Sequence, residues 1–374
     1  MRIAVNTRFL LPSKMEGFGW FTYETISRIV RAHPEHEFYF YFDRQYDPKF
    51  IFADNVKAFV LKPQARHPIL FKWWFNGSIS KALRKHQPDV FFSPDGYLSL
   101  KTLVPQVAVI HDINFEHYPE DLPRSARTYL RKYFPKFAHK ADHIITVSEY
   151  SKRDIAECYS IPPEKITVAH NGGSEKFKII RDSEKDMVRA KFSNNHDYFV
   201  FVGALHPRKN VKRLFAAFEK FKHQTDSKTK LLIVGEKLWR DRSLEKAYEV
   251  CSAKRDILFT GHLDMDSLTK VVGSAKALVF PSYFEGFGIP LVEAMQAGCP
   301  ITCGNKTSLP EVAGEAALYF DPFSINEMAA SLLEMDTNNE LRENLVQKGL
   351  DRAKSFSWDF TANKIWQVLS QYDT

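Results

Sequence analysis

The 374-residue chain has few cysteines and no long apolar run. Its four cysteines, at positions 158, 251, 299 and 303, lack the spacing of a zinc site, and so sparse a set suits a reducing compartment. We expect them to be small buried apolar residues. No apolar stretch approaches the roughly 18 residues that a membrane span needs, and the N-terminus resembles a buried strand rather than a signal peptide. The sequence therefore predicts a cytoplasmic protein.

Low-complexity tracts are also missing, and no serine nucleophile elbow or Walker loop appears. Hydrophobic residues make up 44% of the chain, which is enough for sizeable cores. The length exceeds that of one ordinary domain and suits two domains of roughly 180 residues each.

Apolar runs of strand length alternate with helical patterns through both halves, which predicts βα units, parallel sheets and an α/β fold. In the first half we expect strands at 2–7, 38–42, 89–94, 107–112, 143–148 and 166–172. In the second half we expect strands at 198–205, 230–236, 256–263, 277–282, 300–304 and 317–321. The charged segment 174–197 is interpreted as a linker. The predicted domains are 1–180 and 181–355, followed by a C-terminal helix at 356–374.

The segment from Pro281 to Pro300 reads PSYFEGFGIPLVEAMQAGCP and places Glu285 and Glu293 with seven residues between them. Glycines let the loop turn tightly and approach a ligand, and the N–H groups at the start of the next helix suit a phosphate. Two carboxylates beside a phosphate cradle predict a nucleotide-sugar site, in which one binds sugar hydroxyls and the other ribose hydroxyls.

This segment resembles the signature of retaining glycosyltransferases of family 4, which have the GT-B architecture. The resemblance continues through residues 141–155, 168–173, 201–218, 231–236, 271–322 and 356–369. It implies two Rossmann-like domains facing a central cleft, with the acceptor in the first domain and the donor in the second. It also implies hexose transfer from a nucleotide sugar to a glycan or lipid-linked acceptor. Because bacterial polysaccharide mannosyl- and rhamnosyltransferases are the members most resembled, GDP-mannose is our first expectation for the donor.

The resemblance gives the residues of this segment separate roles. Glu285 is expected at the transferred sugar and Glu293 at the ribose. The backbone of the turn is expected to bind phosphate, and the first helical turn to pack on the nucleoside. These donor-binding residues are Gly286, Phe287, Gly288 and Leu291.

Arg208 and Lys209 follow the first strand of the second domain, at the sheet edge where open α/β folds bind ligands. Two adjacent cations suit a diphosphate, although a solvated basic turn is the alternative. In the family, a lysine at the position of Lys209 binds the donor phosphates. Many members also have an arginine directly after the strand's glycine, where this chain has Ala204. We therefore expect Arg208 to take that place.

His111 and Asp112 close a strand of the first domain. A histidine in such a loop is more often structural than catalytic, but this pair resembles the reaction centre of the family. The resemblance implies that His111 contacts the transferred sugar and that Asp112 orients the loop. Gly17 and Gly19 form a Gly-x-Gly after the first strand, which resembles the family's loop at the donor phosphate or the acceptor.

No metal or organic cofactor is expected, because the nucleotide sugar is itself the co-substrate. Asp264 and Asp266 form an Asp-x-Asp pair of the kind that holds a metal in another glycosyltransferase architecture. Here the pair precedes a helix, which favours helix capping. The cations and the helix start are expected to stabilise the leaving phosphate instead.

The net charge of +7 is concentrated in residues 122–142, where cations interleave with aromatic residues. One interpretation is a solvated amphipathic helix. The other is a surface that contacts anionic lipid at the inner face of the membrane, or that binds an anionic acceptor. Nucleic acid is not an expected partner, because no fold that binds it is indicated.

Two other functions remain open. A two-Rossmann nucleotide-sugar epimerase or a sugar phosphorylase would share the fold, and the spacing of the glutamates around EGFG argues against both. A non-catalytic sugar-nucleotide binding subunit would share the site, and the intact Lys209, Glu285, Glu293 and His111 argue against it. Donor turnover separates these alternatives.

Overall fold

A computed structural model describes residues 1–12, 15, 17–65, 67–236 and 242–373. The chain divides into two compact units, one formed by Met1–Asn171 with Ser357–Thr374 and the other by Gly172–Phe356. Each unit is a parallel sheet flanked by helices, which confirms the predicted α/β class. Among the described residues, the helices are too short or too polar to cross a bilayer.

The first unit contains a seven-stranded sheet in the order β3-β2-β1-β4-β5-β6-β7. Its strands are β1 (Arg2–Asn6), β2 (Glu37–Phe42), β3 (Val56–Val60), β4 (Val90–Ser93), β5 (Gln106–Val109), β6 (His143–Thr146) and β7 (Ile166–Val168). Its helices before the second unit are α1 (Gly17–Ala32), α2 (Pro68–Trp73), α3 (Ser80–His86), α4 (Asn114–His117), α5 (Arg124–Lys140) and α6 (Glu149–Tyr159). Sequence analysis missed β3, whose residues are only partly buried at the sheet edge.

The second unit contains a six-stranded sheet in the order β10-β9-β8-β11-β12-β13. Its strands are β8 (Tyr198–Val202), β9 (Lys230–Val234), β10 (Ile257–Gly261), β11 (Ala277–Phe280), β12 (Ile301–Gly304) and β13 (Ala317–Phe320). Its helices are α7 (Asp182–Ser193), α8 (Val211–Gln224), α9 (Arg242–Val250), α10 (Met265–Gly273), α11 (Ile289–Gln296), α12 (Leu309–Ala313), α13 (Ile325–Thr337) and α14 (Asn339–Ala353). All six predicted strands are present.

Both sheets reverse their strand order beside the first strand. In the first sheet β1 lies between β2 and β4, and in the second sheet β8 lies between β9 and β11. At such a reversal, the loops that follow the carboxyl ends of the two adjacent strands run in opposite directions. A crevice opens between these loops, and open α/β sheets bind their ligands there. The fold therefore points to the loops after β1 and β4, and to those after β8 and β11.

Residues 174–197 are not the linker that we predicted. They include α7, which packs against α10 and belongs to the second unit. Its buried residues are Val188 and Ser193. So few buried positions give only a weak helical pattern of apolar residues, and the sequence of this charged segment therefore does not reveal the helix. The unit boundary lies after Asn171.

The last helix, α15 (Trp358–Leu369), belongs to the first unit and packs against α1. Arg28 of α1 bonds Asp359 through Nε at 2.7 Å, and the Trp358 ring meets that of Phe21 at 6.1 Å. Of the cysteines, three are buried as expected, whereas Cys158 on α6 is exposed.

Candidate active site

The loops after β8 and β11 bring three predicted residues together. Arg208 Nη1 lies 2.7 Å from Glu285 Oε2, and Lys209 Nζ lies 2.7 Å from Glu285 Oε1. Glu285 is 5% exposed and Lys209 is 8% exposed. Although burial raises the pKa of Glu285, the two cations outweigh it and lower that pKa to about 2. The carboxylate is therefore charged at neutral pH.

Other contacts hold this cluster in place. Asn210, in a left-handed conformation with φ 60°, donates from Nδ2 to the carbonyls of Pro281 at 3.1 Å and Pro322 at 2.6 Å. The side chain thereby joins the loops that follow β8, β11 and β13. The Ser308 hydroxyl donates to the carbonyls of Glu285 and Phe287, both at 2.9 Å. Sequence analysis gave neither Asn210 nor Ser308 a role.

The helix α11 begins directly after this cluster. Gly288 occupies its N-cap with φ 103°, and a β-carbon there would lie 3.0 Å from Leu309 Cδ2. In the described structure no side chain caps α11. Amide groups at such a start can bind an anion, as predicted for Gly286, Phe287 and Gly288.

Glu293 lies one turn further along α11 and is half-buried. Its carboxyl group has no hydrogen-bond or ion-pair partner among the residues that the structure describes. Burial raises its pKa to about 8. A partly accessible carboxyl without a protein partner can bind hydroxyl groups of a ligand. Leu291 differs, because it is fully buried and offers no side-chain surface to a nucleoside.

Asp264 and Asp266 have separate partners. Asp264 is the N-cap of α10 and accepts from the Ser267 backbone N–H at 2.8 Å, as the capping interpretation predicted. Asp266 is exposed and lies 3.6 Å from Lys176 Nζ. The capping contact accounts for the position of Asp264.

The first unit contains a second group of predicted residues. His111 Nε2 donates to the Pro94 carbonyl at 2.9 Å, which leaves Nδ1 as the acceptor nitrogen. Burial lowers the pKa of His111, so the ring is neutral at neutral pH. The centroid of its ring lies 4.9 Å from that of Phe18 and 4.7 Å from that of Phe21, both in edge-to-face arrangements. Asp112 accepts from the Asn114 backbone N–H at 3.1 Å, a contact inside its own loop.

Gly17 and Gly19 lie in the first turn of α1 rather than in a loop before it. A β-carbon at Gly19 would lie 2.6 Å from the Phe9 carbonyl oxygen, so close packing requires glycine there. Gly17 has open space around its α-carbon. Only Gly17 leaves the backbone accessible to a ligand, and contact with donor or acceptor remains a prediction for both.

A buried ion pair that sequence analysis missed joins the loops after β1 and β4. Arg8 Nε lies 2.5 Å from Asp95 Oδ2, and both side chains are almost fully buried. Four aromatic rings lie within 5.3 Å of the Arg8 guanidinium carbon, the nearest being Tyr97 at 4.4 Å. Asp95 belongs to the same turn as Pro94, which accepts the His111 hydrogen bond. The pair therefore fixes the turn against which His111 is oriented.

Comparison with known proteins gives a family for both units. Residues 16–173 match the model described as Glycosyltransferase Family 4, and residues 182–352 match Glycosyl transferases group 1. The O-antigen chain mannosyltransferase B of Escherichia coli is 30% identical over 292 residues, which are 78% of this chain and 76% of that protein. The chain belongs to glycosyltransferase family 4. It is a glycosyltransferase.

Two further matches agree with this family. The O-antigen chain mannosyltransferase RfbU of Salmonella typhimurium is 30% identical over 217 residues, covering 58% of this chain and 57% of RfbU. The crystal structure of WaaG, a glycosyltransferase involved in lipopolysaccharide biosynthesis, superposes with a TM-score of 0.77 at 16% identity. That match covers 98% of this chain and 99% of WaaG, and it confirms the predicted GT-B fold.

Proposed function

We propose that this family 4 glycosyltransferase moves a mannosyl group from GDP-mannose to a glycan or lipid-linked acceptor in cell-surface polysaccharide synthesis. The observation that carries the proposal is the cluster of Arg208, Lys209 and Glu285 between the diverging loops of the second sheet, directly before α11. The names of the two O-antigen relatives support mannose as the sugar.

The charges of this cluster suit a nucleoside diphosphate leaving group. When the bond between the sugar's anomeric carbon and the phosphate oxygen breaks, the electron pair goes to the phosphate. Arg208, Lys209 and the α11 N-terminus stabilise this charge. Because protein groups supply the positive charge, we propose a reaction that needs no metal ion.

We further propose retention at the anomeric carbon. The acceptor hydroxyl attacks from the face that the diphosphate leaves, and its proton passes to the leaving phosphate. The resemblance to retaining transferases supports this course. In the site, Glu285 is held as an anion by two cations, which favours a positioning role for it over nucleophilic attack. Proton NMR of the product tests retention, since GDP-mannose should yield an α-linked mannoside.

A thermal-shift panel identifies the donor. At 100 times its dissociation constant a ligand stabilises the native state by about 2.7 kcal/mol, so GDP and GDP-mannose should raise the melting temperature more than their UDP counterparts at equal concentration. A larger shift with UDP and a UDP-hexose would reassign the base and the sugar while leaving the transferase proposal intact.

We propose that α5 supports attachment to anionic lipid by charge alone. Its aromatic residues Tyr129 and Phe134 are buried in the core, and the half-buried Tyr133 packs against that core, whereas Arg131 and Lys132 are exposed. Replacing Arg127, Arg131 and Lys132 by glutamine should weaken binding to phosphatidylglycerol vesicles. The control replaces the exposed Lys178, Lys270 and Lys348 of the second unit, and an equal loss in both variants would reject a role for α5.

A further inference from the structure

Three metal-ligating side chains meet in the turn between α1 and β2. His33 Nδ1 lies 3.4 Å from Glu35 Oε1, and His36 Nε2 lies 3.4 Å from the same oxygen. One ligand atom from each of the three residues falls within 4.8 Å of the others. This cluster is in the first unit and shares no residue with the proposed donor site.

These separations match the coordination geometry of zinc. Tetrahedral Zn²⁺ with bonds of about 2.1 Å places neighbouring ligand atoms about 3.4 Å apart. Two edges of the cluster therefore already have the length that a bound ion requires. Two imidazoles and a carboxylate are also a ligand set that zinc accepts, whereas calcium and magnesium prefer oxygen alone.

Two residues near the C-terminus, Asp373 and Trp366, lie beside the histidines of this cluster. Asp373 Oδ2 lies 3.9 Å from His36 Nε2, within reach of a fourth coordination position after a small side-chain movement. The Trp366 ring stacks on His33 with 3.6 Å between ring centroids and 15° between planes. This stacking holds the His33 ring in one orientation in the metal-free protein, which lowers the entropic cost of metal binding.

We propose that His33, Glu35 and His36 form a zinc-class divalent metal site, with Asp373 as the fourth ligand. Bound metal would join the turn after α1 to the segment after α15, and so stabilise the first unit. The Met1 amino nitrogen lies 2.9 Å from His36 Nδ1. It also lies 3.4 Å from Asp373 Oδ1, so Met1 contacts both of these proposed ligands and leaves His36 Nε2 facing Glu35 and Asp373 Oδ2.

Isothermal titration of metal-free, untagged protein with ZnCl₂ tests the site. We expect one equivalent to bind and the melting temperature to rise. The double variant His33→Gln/His36→Gln should weaken binding by at least about 10-fold. The matched control is His139→Gln, since His139 is an exposed histidine on α5 whose side chain bonds only the Pro135 carbonyl among described contacts.

A second variant tests the site even if the double variant does not fold. Glu35 is exposed, so Glu35→Gln removes one ligand without disturbing the core. It should also weaken zinc binding while leaving the circular dichroism spectrum unchanged. Binding that is unsaturable, or that is equally tight in wild type, Glu35→Gln and the double variant, would overturn the proposal.

Discussion

Lys209 and Glu285 form a buried ion pair in which Nζ lies 2.7 Å from Oε1. The pair links the loop after β8 to the loop after β11. Arg208, which lies beside Lys209 in the first of these loops, also forms an ion pair with Glu285. Glu285 therefore compensates the two cations when no diphosphate is bound. Removing its charge should lower turnover without weakening nucleotide binding.

Glu285→Gln should lower turnover by about 100-fold, because the sugar and the cations lose their positioning. Affinity for free GDP should be unchanged or higher, because Arg208 and Lys209 are then uncompensated. Steady-state kinetics and calorimetry measure the two effects. Weakened GDP binding in Glu285→Gln, with no change in an exposed control such as Glu343→Gln, would contradict this assignment.

Glu293→Gln should mainly raise the donor Michaelis constant, because a ribose contact is made equally in the ground and transition states. Glutamine cannot reproduce the carboxyl group's contacts with the ribose hydroxyls, and leaving a buried polar group unsatisfied costs about 1–3 kcal/mol, so an increase of about 10-fold is expected. Donor saturation curves check this result. A fall in turnover at saturating donor with an unchanged Michaelis constant would place Glu293 at the reacting sugar instead.

The raised pKa of Glu293 predicts that it destabilises the free protein at alkaline pH. Its folded-state pKa of about 8 exceeds the ordinary value of 4.5, so the folded state binds the proton more tightly than the unfolded state. The free energy of unfolding should therefore fall as pH rises from 4.5 to 8. Thermal melts of Glu293→Gln should show a stability advantage over wild type at pH 8 that disappears near pH 4.5.

The buried pair of Arg8 and Asp95 should be costly to break. Asp95→Asn leaves a buried cation without its partner, for which a loss of about 3–5 kcal/mol is expected. The control is Asp351→Asn, which disrupts the exposed pair of Asp351 and Lys354 and should cost less than about 1 kcal/mol. Urea unfolding compares the two variants. Equal small losses would show that Arg8 finds other partners.

Sequence analysis placed Arg208, Lys209 and Glu285 in one site because they lie in a single strand-end loop and one continuous segment, and the structure brings these three side chains into contact. Their binding roles stay predictions. The sequence did not reveal the contacts that depend on sheet topology. Arg8 and Asp95 are 87 residues apart, and only the pairing of β1 with β4 brings them together. Ser308 was missed for a related reason, since its bonds reach back 21 and 23 residues to another loop. The helix α7 was missed because few of its residues are buried.

We predict that turnover does not depend on a metal ion, because Arg208 and Lys209 supply positive charge at the proposed position of the leaving group. Donor turnover should persist in EDTA at wild-type rates, measured after the enzyme has been dialysed against the chelator. Loss of turnover that manganese or magnesium restores would contradict the proposed charge stabilisation by Arg208 and Lys209.

Release of nucleoside diphosphate from GDP-mannose, measured with and without lipid-linked glycan acceptors, tests the central proposal most directly. We predict that acceptor stimulates GDP release and that Lys209→Ala abolishes it while Lys348→Ala does not. Tight GDP binding without release from any nucleotide sugar, with or without acceptor, would indicate a binding subunit and contradict transfer of mannose by this site.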